Sequence, residues 1–135
     1  MVQSKHIVIV GCGRLGGALA NRLSKSGHRV VVVDQREIAF DKLSTDFSGF
    51  KLIGDAVELH ILKQAKIEQA DYLFATTTSD NTNLMVAQVA RTIFNVPQVV
   101  ARVFDPRREE IYRDFGVETI SPTKLSTEAF LRVLG

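Results

Sequence analysis

Three glycines, Gly11, Gly13 and Gly16, stand in the run G-C-G-R-L-G directly after the apolar stretch Ile7–Val10. Glycines do no chemistry of their own. They allow a tight turn (Gly11), a backbone approach to within contact of a phosphate (Gly13) and close packing of a helix on a sheet (Gly16). A phosphate held there sits on free helix amides at the positive end of the helix dipole. Asp34, 18 residues beyond Gly16, ends a second apolar run, V-V-V-V-D. A carboxylate at that place takes the two hydroxyls of an adenosine ribose and repels a 2′-phosphate, which favours NAD(H) or an adenine nucleotide over NADP(H). Arg14 supplies a cation inside the loop; it reads as a phosphate clamp or as an exposed first-turn side chain. Arg36 reads as a solvent-facing residue at a helix start. Cys12 reads as a small residue that fits the loop, with a redox role as the minor alternative.

These residues need strands and helices to hold them. Six short apolar or β-branched runs, His6–Val10, Arg29–Val33, Phe50–Ile53, Tyr72–Thr76, Gln98–Arg102 and Val117–Ile120, show no strict alternation. That pattern belongs to strands covered on both faces. Between them Leu15, Leu19 and Leu23 follow one helix face, and Leu84, Val86, Ala87, Ala90 and Ile93 another. Asp105-Pro106 opens a helix that Gly116 closes, with Arg107-Arg108-Glu109-Glu110 expected on a solvated face. Asp80 and Asn83 read as the cap and opening of a helix. Strand–helix alternation of this kind predicts an α/β, Rossmann-like, doubly wound, six-stranded, mostly parallel sheet with helices on both faces, in one domain over 1–135. Thr76 and Thr77 then end strand four at the topological switch point, as ligand contacts or as turn formers.

Composition narrows the class. The chain has 135 residues, 45% hydrophobic and 24% charged, which is ordinary for one globular domain. Seventeen Lys and Arg against 15 Asp and Glu leave a formal charge of +2, too small an excess for a nucleic-acid protein. No run approaches the roughly 20 apolar residues of a membrane span, so no direct membrane insertion is expected. A single cysteine permits no internal disulfide and points to the reducing cytosol.

Several stretches taken together carry a resemblance. G-C-G-R-L-G-G-A-L-A, V-V-V-V-D, G-D-A at Gly54–Ala56, A-D-Y-L-F-A-T-T-T-S-D-N-T-N from Ala70, V-V-A-R-V-F-D-P-R-R from Val99 and G-V-E-T-I-S-P from Gly116 resemble the TrkA N-terminal (KTN or RCK) domain. That is the cytosolic nucleotide-binding module of potassium uptake systems and channels. The resemblance implies a regulatory site for NAD(H) or ATP/ADP. Gly11, Cys12, Gly13, Arg14 and Leu15, with Gly16, serve the phosphates, Asp34 and Gln35 the ribose, and Asp55 and Ala56 the adenine. Thr76, Thr77 and Arg102 complete that set. Asp55 also reads as a helix cap and Arg102 as an exposed strand end or a dimer contact.

The resemblance further implies a homodimer or an octameric ring beneath a membrane potassium-translocating subunit, peripheral to the inner face of the membrane. Residues 123–135 correspond to a crossover helix for dimerisation; by periodicity alone that helix can equally fold back on its own core. A C-terminal ligand lobe is not expected within this chain, and Thr123-Lys124 after Pro122 lack the acidic residue of a metal site, so no metal is expected.

An NAD-dependent oxidoreductase or a redox-sensing Rossmann protein is the rival reading. Hydride transfer needs a second surface for substrate and an acid or base in reach. His6, His28 and His60 share no spacing, and neither Tyr72 nor Tyr112 has a lysine four residues on. The expectation is therefore a regulator and not an enzyme.

Overall fold

The computed structural model describes residues 3–135. Strands β1 (His6–Val10), β2 (Arg29–Asp34), β3 (Phe50–Ile53), β4 (Tyr72–Ala75), β5 (Gln98–Arg102) and β6 (Glu118–Ile120) form one sheet in the order β3-β2-β1-β4-β5-β6. Every neighbouring pair is parallel. The order reverses between β1 and β4, which opens a crevice above their carboxyl ends. Helices α1 (Arg14–Lys25), α2 (Leu59–Gln64), α3 (Asp80–Thr92), α4 (Glu109–Asp114) and α5 (Pro122–Val133) complete the chain, with 3-10 turns at Glu37–Lys42, Ile67–Gln69 and Pro106–Arg108.

Alternate residues of each central strand enter opposite cores, because successive side chains point to opposite faces. Val8, Val10, Val31 and Val33 pack with α2, α3 and Tyr112 of α4. Ile7, Ile9, Val30 and Val32 pack with Ala20 of α1 and with Ala39 and Phe40. Leu19 and Leu23 join the second core as their spacing predicts, whereas Ile93 falls at the end of α3 and is exposed. Strand four stops at Ala75, one residue early, because the Thr76 side chain turns inward to donate to the carbonyls of Val10 and Gly11.

Glu109 corrects the expectation of a solvated run at residues 107–110. It is buried, accepts from the Thr119 hydroxyl of β6, and pairs with Lys124 of α5 at 2.6 Å. Lys124 first, and then Thr119, hold its carboxyl below the usual glutamate range against the effect of burial. A depressed folded-state pKa stabilises the fold above the unfolded-chain value, about 4.3, and that stability is lost as pH falls through the folded value. Glu109→Gln is expected to cost about 2 kcal/mol at neutral pH. The gap between its melting temperature and that of wild type should close on acidification below about pH 4. A gap that persists unchanged in acid would show the carboxylate to be irrelevant.

Helix α5 begins well: Ser121 caps it by accepting from the Lys124 amide at 3.2 Å. It buries none of its residues, and Leu125, Phe130, Leu131 and Val133 stay exposed. Folding back on this chain's own core, one of its two readings, is not what the helix does. No helix of the described residues is long and apolar enough to cross a membrane.

Candidate functional site

The carboxyl ends of β1, β2, β4 and β5 and the loops after them enclose a cleft of about 700 Å³. Ten of the thirteen expected residues line it: Gly11, Gly13, Arg14, Asp34, Gln35, Asp55, Ala56, Thr76, Thr77 and Arg102. Cys12, Leu15 and Gly16 do not; they serve the loop that shapes the wall. Val10, Val33, Arg36, Gly54, Thr78, Ser79, Thr82 and Phe104 also line the cleft and were not in that set. Arg36 thus borders the cleft as well as solvent.

The loop's geometry follows from its glycines. Gly11 has φ +102°, a backbone state side chains resist, and donates its N–H to Val33 at 2.8 Å, which joins the turn to β2. Gly13 caps α1 without a side-chain bond, and no acidic residue occupies the first turn. The dipole of a twelve-residue helix therefore points its positive end at the cleft with no acidic residue of its own first turn to offset it, beside Arg14. At Gly16 the helix passes so close that a Cβ would lie 1.8 Å from the Gly11 carbonyl oxygen.

Asp34 faces this end of the helix from β2. One carboxylate oxygen accepts from the Cys12 amide at 2.8 Å and the other from the Arg36 amide at 2.9 Å. Each oxygen keeps a further lone pair for a ligand hydroxyl. Asp55 accepts from the Val57 amide at 3.1 Å, so it forms a local turn while also lining the cleft.

Cys12 is fully buried. Burial pushes its thiol pKa up and Asp34 pushes it further, with Lys42 and Lys51 opposing. A neutral, unreachable thiol is neither nucleophile nor redox sensor. An Ellman-type titration at neutral pH is expected to find no reactive thiol in the native protein and one after denaturation. Rapid native reaction would restore the redox reading.

The β4 side is built by side chains that sequence spacing assigned to simpler jobs. Ser79, not Asp80, caps α3, accepting from the Thr82 amide at 3.2 Å. Asn83 is fully buried with all its bonding capacity used. Its amide nitrogen donates to the carbonyls of Thr77 (3.0 Å) and Arg102 (2.9 Å), and its oxygen accepts from the Thr77 amide (3.0 Å) and hydroxyl (2.6 Å). Asp80 reaches to the loop after β5, accepting from the amides of Phe104 (2.8 Å) and Asp105 (3.1 Å). Tyr112 of α4 donates to the Asp80 carbonyl at 2.7 Å. Thr76 spends its hydroxyl on the protein, so what it offers the cleft is backbone.

Arg102 donates through Nη2 to the carbonyls of Thr76 and Thr77, and its guanidinium lies 4.7 Å over the Phe104 ring. Burial lowers its pKa, partly countered by Asp80, and it remains a cation at neutral pH. The finished cleft carries three guanidinium groups and two carboxylates and, among the described residues, no histidine, lysine, tyrosine or cysteine on its wall.

The sequence model for the TrkA-N domain matches residues 7–122. The chain belongs to the TrkA-N family. Among relatives, the Trk system potassium uptake protein TrkA of Streptomyces coelicolor is 40% identical over 129 residues, covering 96% of this TrkA-N chain and 58% of the relative. The chain thus spans little more than half the length of that relative. The TrkA-N domain of the inner membrane protein ybaL from Escherichia coli has the same fold, with a TM-score of 0.87 and 20% identity across all of both chains. A structure of the GsuK channel bound to NAD gives a TM-score of 0.73 at 22% identity, covering 89% of this chain and 22% of that one. The doubly wound TrkA-N fold is therefore common ground among proteins that diverge widely in sequence.

Proposed function

We propose that this TrkA-N domain is the nucleotide-reading part of a cytoplasmic regulator of potassium transport. The observation that carries the reading is one cleft at the switch point. In it the bare N-terminus of α1 and Arg14 face the braced carboxylate of Asp34. Phosphates suit the first and ribose hydroxyls the second. NAD(H) or ATP/ADP fits both, and the Asp34 charge works against the extra phosphate of NADP(H). The Streptomyces coelicolor relative is a potassium uptake protein, and the GsuK structure holds NAD, which supports the same assignment.

The domain acts by binding. Among the described residues the wall offers no histidine, lysine, tyrosine or cysteine, and its two carboxylates, Asp34 and Asp55, already accept from backbone amides, which leaves little equipment for acid–base chemistry. A regulatory ligand instead shifts an assembly through its different affinity for two conformations. We place the partner surface on α5, whose exposed Leu125, Phe130, Leu131 and Val133 suit a second copy in a homodimer or a ring of eight. Such a ring lies at the inner face of the membrane against the potassium-translocating subunit.

Calorimetric titration with NAD, NADH, NADPH, ATP and ADP, alongside a measurement of oligomeric mass, tests the proposal. Micromolar or tighter binding of at least one ligand, with NADPH excluded, is the expected result. Absence of binding by all five would overturn it.

A further inference from the structure

We propose that the end of the sheet opposite the nucleotide cleft holds a second ligand site, fitted to a small organic anion with an apolar tail. The inference does not depend on the nucleotide reading.

The amino ends of β1, β2 and β3, with the chain that follows α1 and α2, enclose a second cavity of about 610 Å³. That is an ordinary size for a ligand pocket. Its apolar wall comes from β2 and β3. Phe50 is in register with Val31 and stands two residues before Leu52, so all three lie on the face that packs beneath α2. Helix α2 has only six residues and sends Ile61 and Leu62 inward, yet the Phe50 ring stays 75% exposed. An aromatic side chain left over a hollow gains most when an apolar ligand covers it.

The charged part of the wall has one sign. Arg29, Lys51 and Lys66 line the cavity, and among the described residues no aspartate or glutamate does. None of the three forms an ion pair among the described residues. Basic residues gather at helix carboxyl ends, where the dipole is negative. Here Arg22, Lys25 and Lys63 already fill that role in the last turns of α1 and α2, whereas Arg29 and Lys51 belong to strands. Lys66 holds a left-handed backbone (φ 63°) that glycine adopts more readily. His6 and His28 also line the cavity, and each ring is held. His6, 8% exposed, donates through Nε2 to the Ala65 carbonyl at 3.1 Å. His28 accepts from the Lys5 amide at 3.0 Å through Nδ1, which puts the proton of the neutral ring on Nε2, as a donor. A phosphate or carboxylate suits the cations, and a short hydrocarbon tail suits Phe50, Val31 and Leu52. A hollow that takes one molecule points to a free amphiphile and not to a membrane surface.

Calorimetric titration of the full chain with octyl phosphate below its micelle concentration, and with octanol and inorganic phosphate, tests the assignment. Octyl phosphate is expected to bind roughly tenfold more tightly than either half alone. Phe50→Ala should weaken it roughly tenfold, and Lys66→Gly roughly fivefold. Lys66→Gly also relieves the positive φ, so its melting temperature should hold and its lost affinity is not a loss of fold. Gly13→Asp should leave octyl phosphate binding unchanged, because that loop lies at the other end of the sheet. Absence of binding, equal affinity for octanol, or unchanged affinity in both wall variants would overturn the site. So would loss of binding in Gly13→Asp, which would put the phosphate in the nucleotide cleft. Sedimentation with phosphatidylglycerol vesicles in place of octyl phosphate binding would mark a membrane-facing surface and overturn the free ligand.

Discussion

Gly13→Asp is expected to abolish the proposed nucleotide binding and to leave the fold as stable as before. A Cβ at Gly13 meets no heavy atom within 4 Å, and its backbone is extended (φ −86°, ψ −157°) at the N-cap of α1. Aspartate is among the best N-cap residues, so the melting temperature should hold or rise slightly. The same carboxylate would stand where the proposed ligand's phosphates approach. At about 4 Å and an effective dielectric near 20, each pair of like charges costs about 4 kcal/mol, roughly three orders of magnitude in affinity. Calorimetry reads the loss and a thermal melt reads the stability. Near-wild-type affinity in this variant would remove the phosphates from the loop altogether.

Gly16→Ala is expected to do the reverse. The added Cβ would lie 1.8 Å from the Gly11 oxygen, 2.9 Å from its carbonyl carbon and 2.7 Å from the Thr76 hydroxyl. Two of these atoms are backbone, so relief requires moving helix α1 away from the turn. Overpacking of this severity is expected to cost about 3 kcal/mol or more, a fall of roughly 10 °C in melting temperature. A variant that melts within a degree or two of wild type would mean that the loop yields easily. The two glycines sit three positions apart in one motif, yet one borders the cleft and the other lets the helix pack against the turn.

The strands and their parallel order were readable because they depend on composition within five or six residues. Continuous runs such as V-V-V-V declare burial on both faces, and the glycine loop with Asp34 declares the order of the first two strands. The part of the loop that faces the cleft was equally readable: Gly11, Gly13, Arg14 and Asp34 all line it. What failed were roles that depend on contacts far along the chain. Asn83 looks like a helix-start residue until Arg102, nineteen positions later, is seen to bond its amide. Asp80 looks like a cap until the loop at Phe104 comes back to it. Glu109 sits in a charged run that local composition assigns to solvent, and only Thr119 and Lys124 explain its burial. Phe104 lay within a motif noted for other reasons, and no local pattern marks an aromatic residue as exposed.

Asp34 holds the turn as well as facing the cleft, and the usual experiment cannot separate that structural role from the proposed ribose contact. Its two oxygens anchor the glycine turn to the start of the next loop through the amides of Cys12 and Arg36. An asparagine there would set its NH₂ against one of those amides, donor against donor, and leave a bond unmade at a cost of about 1–3 kcal/mol. The turn would loosen before any ligand arrived. Lost binding in an Asp34 variant therefore reports a damaged hinge pin as readily as a missing ribose contact, and Gly13 is the cleaner witness to the ligand.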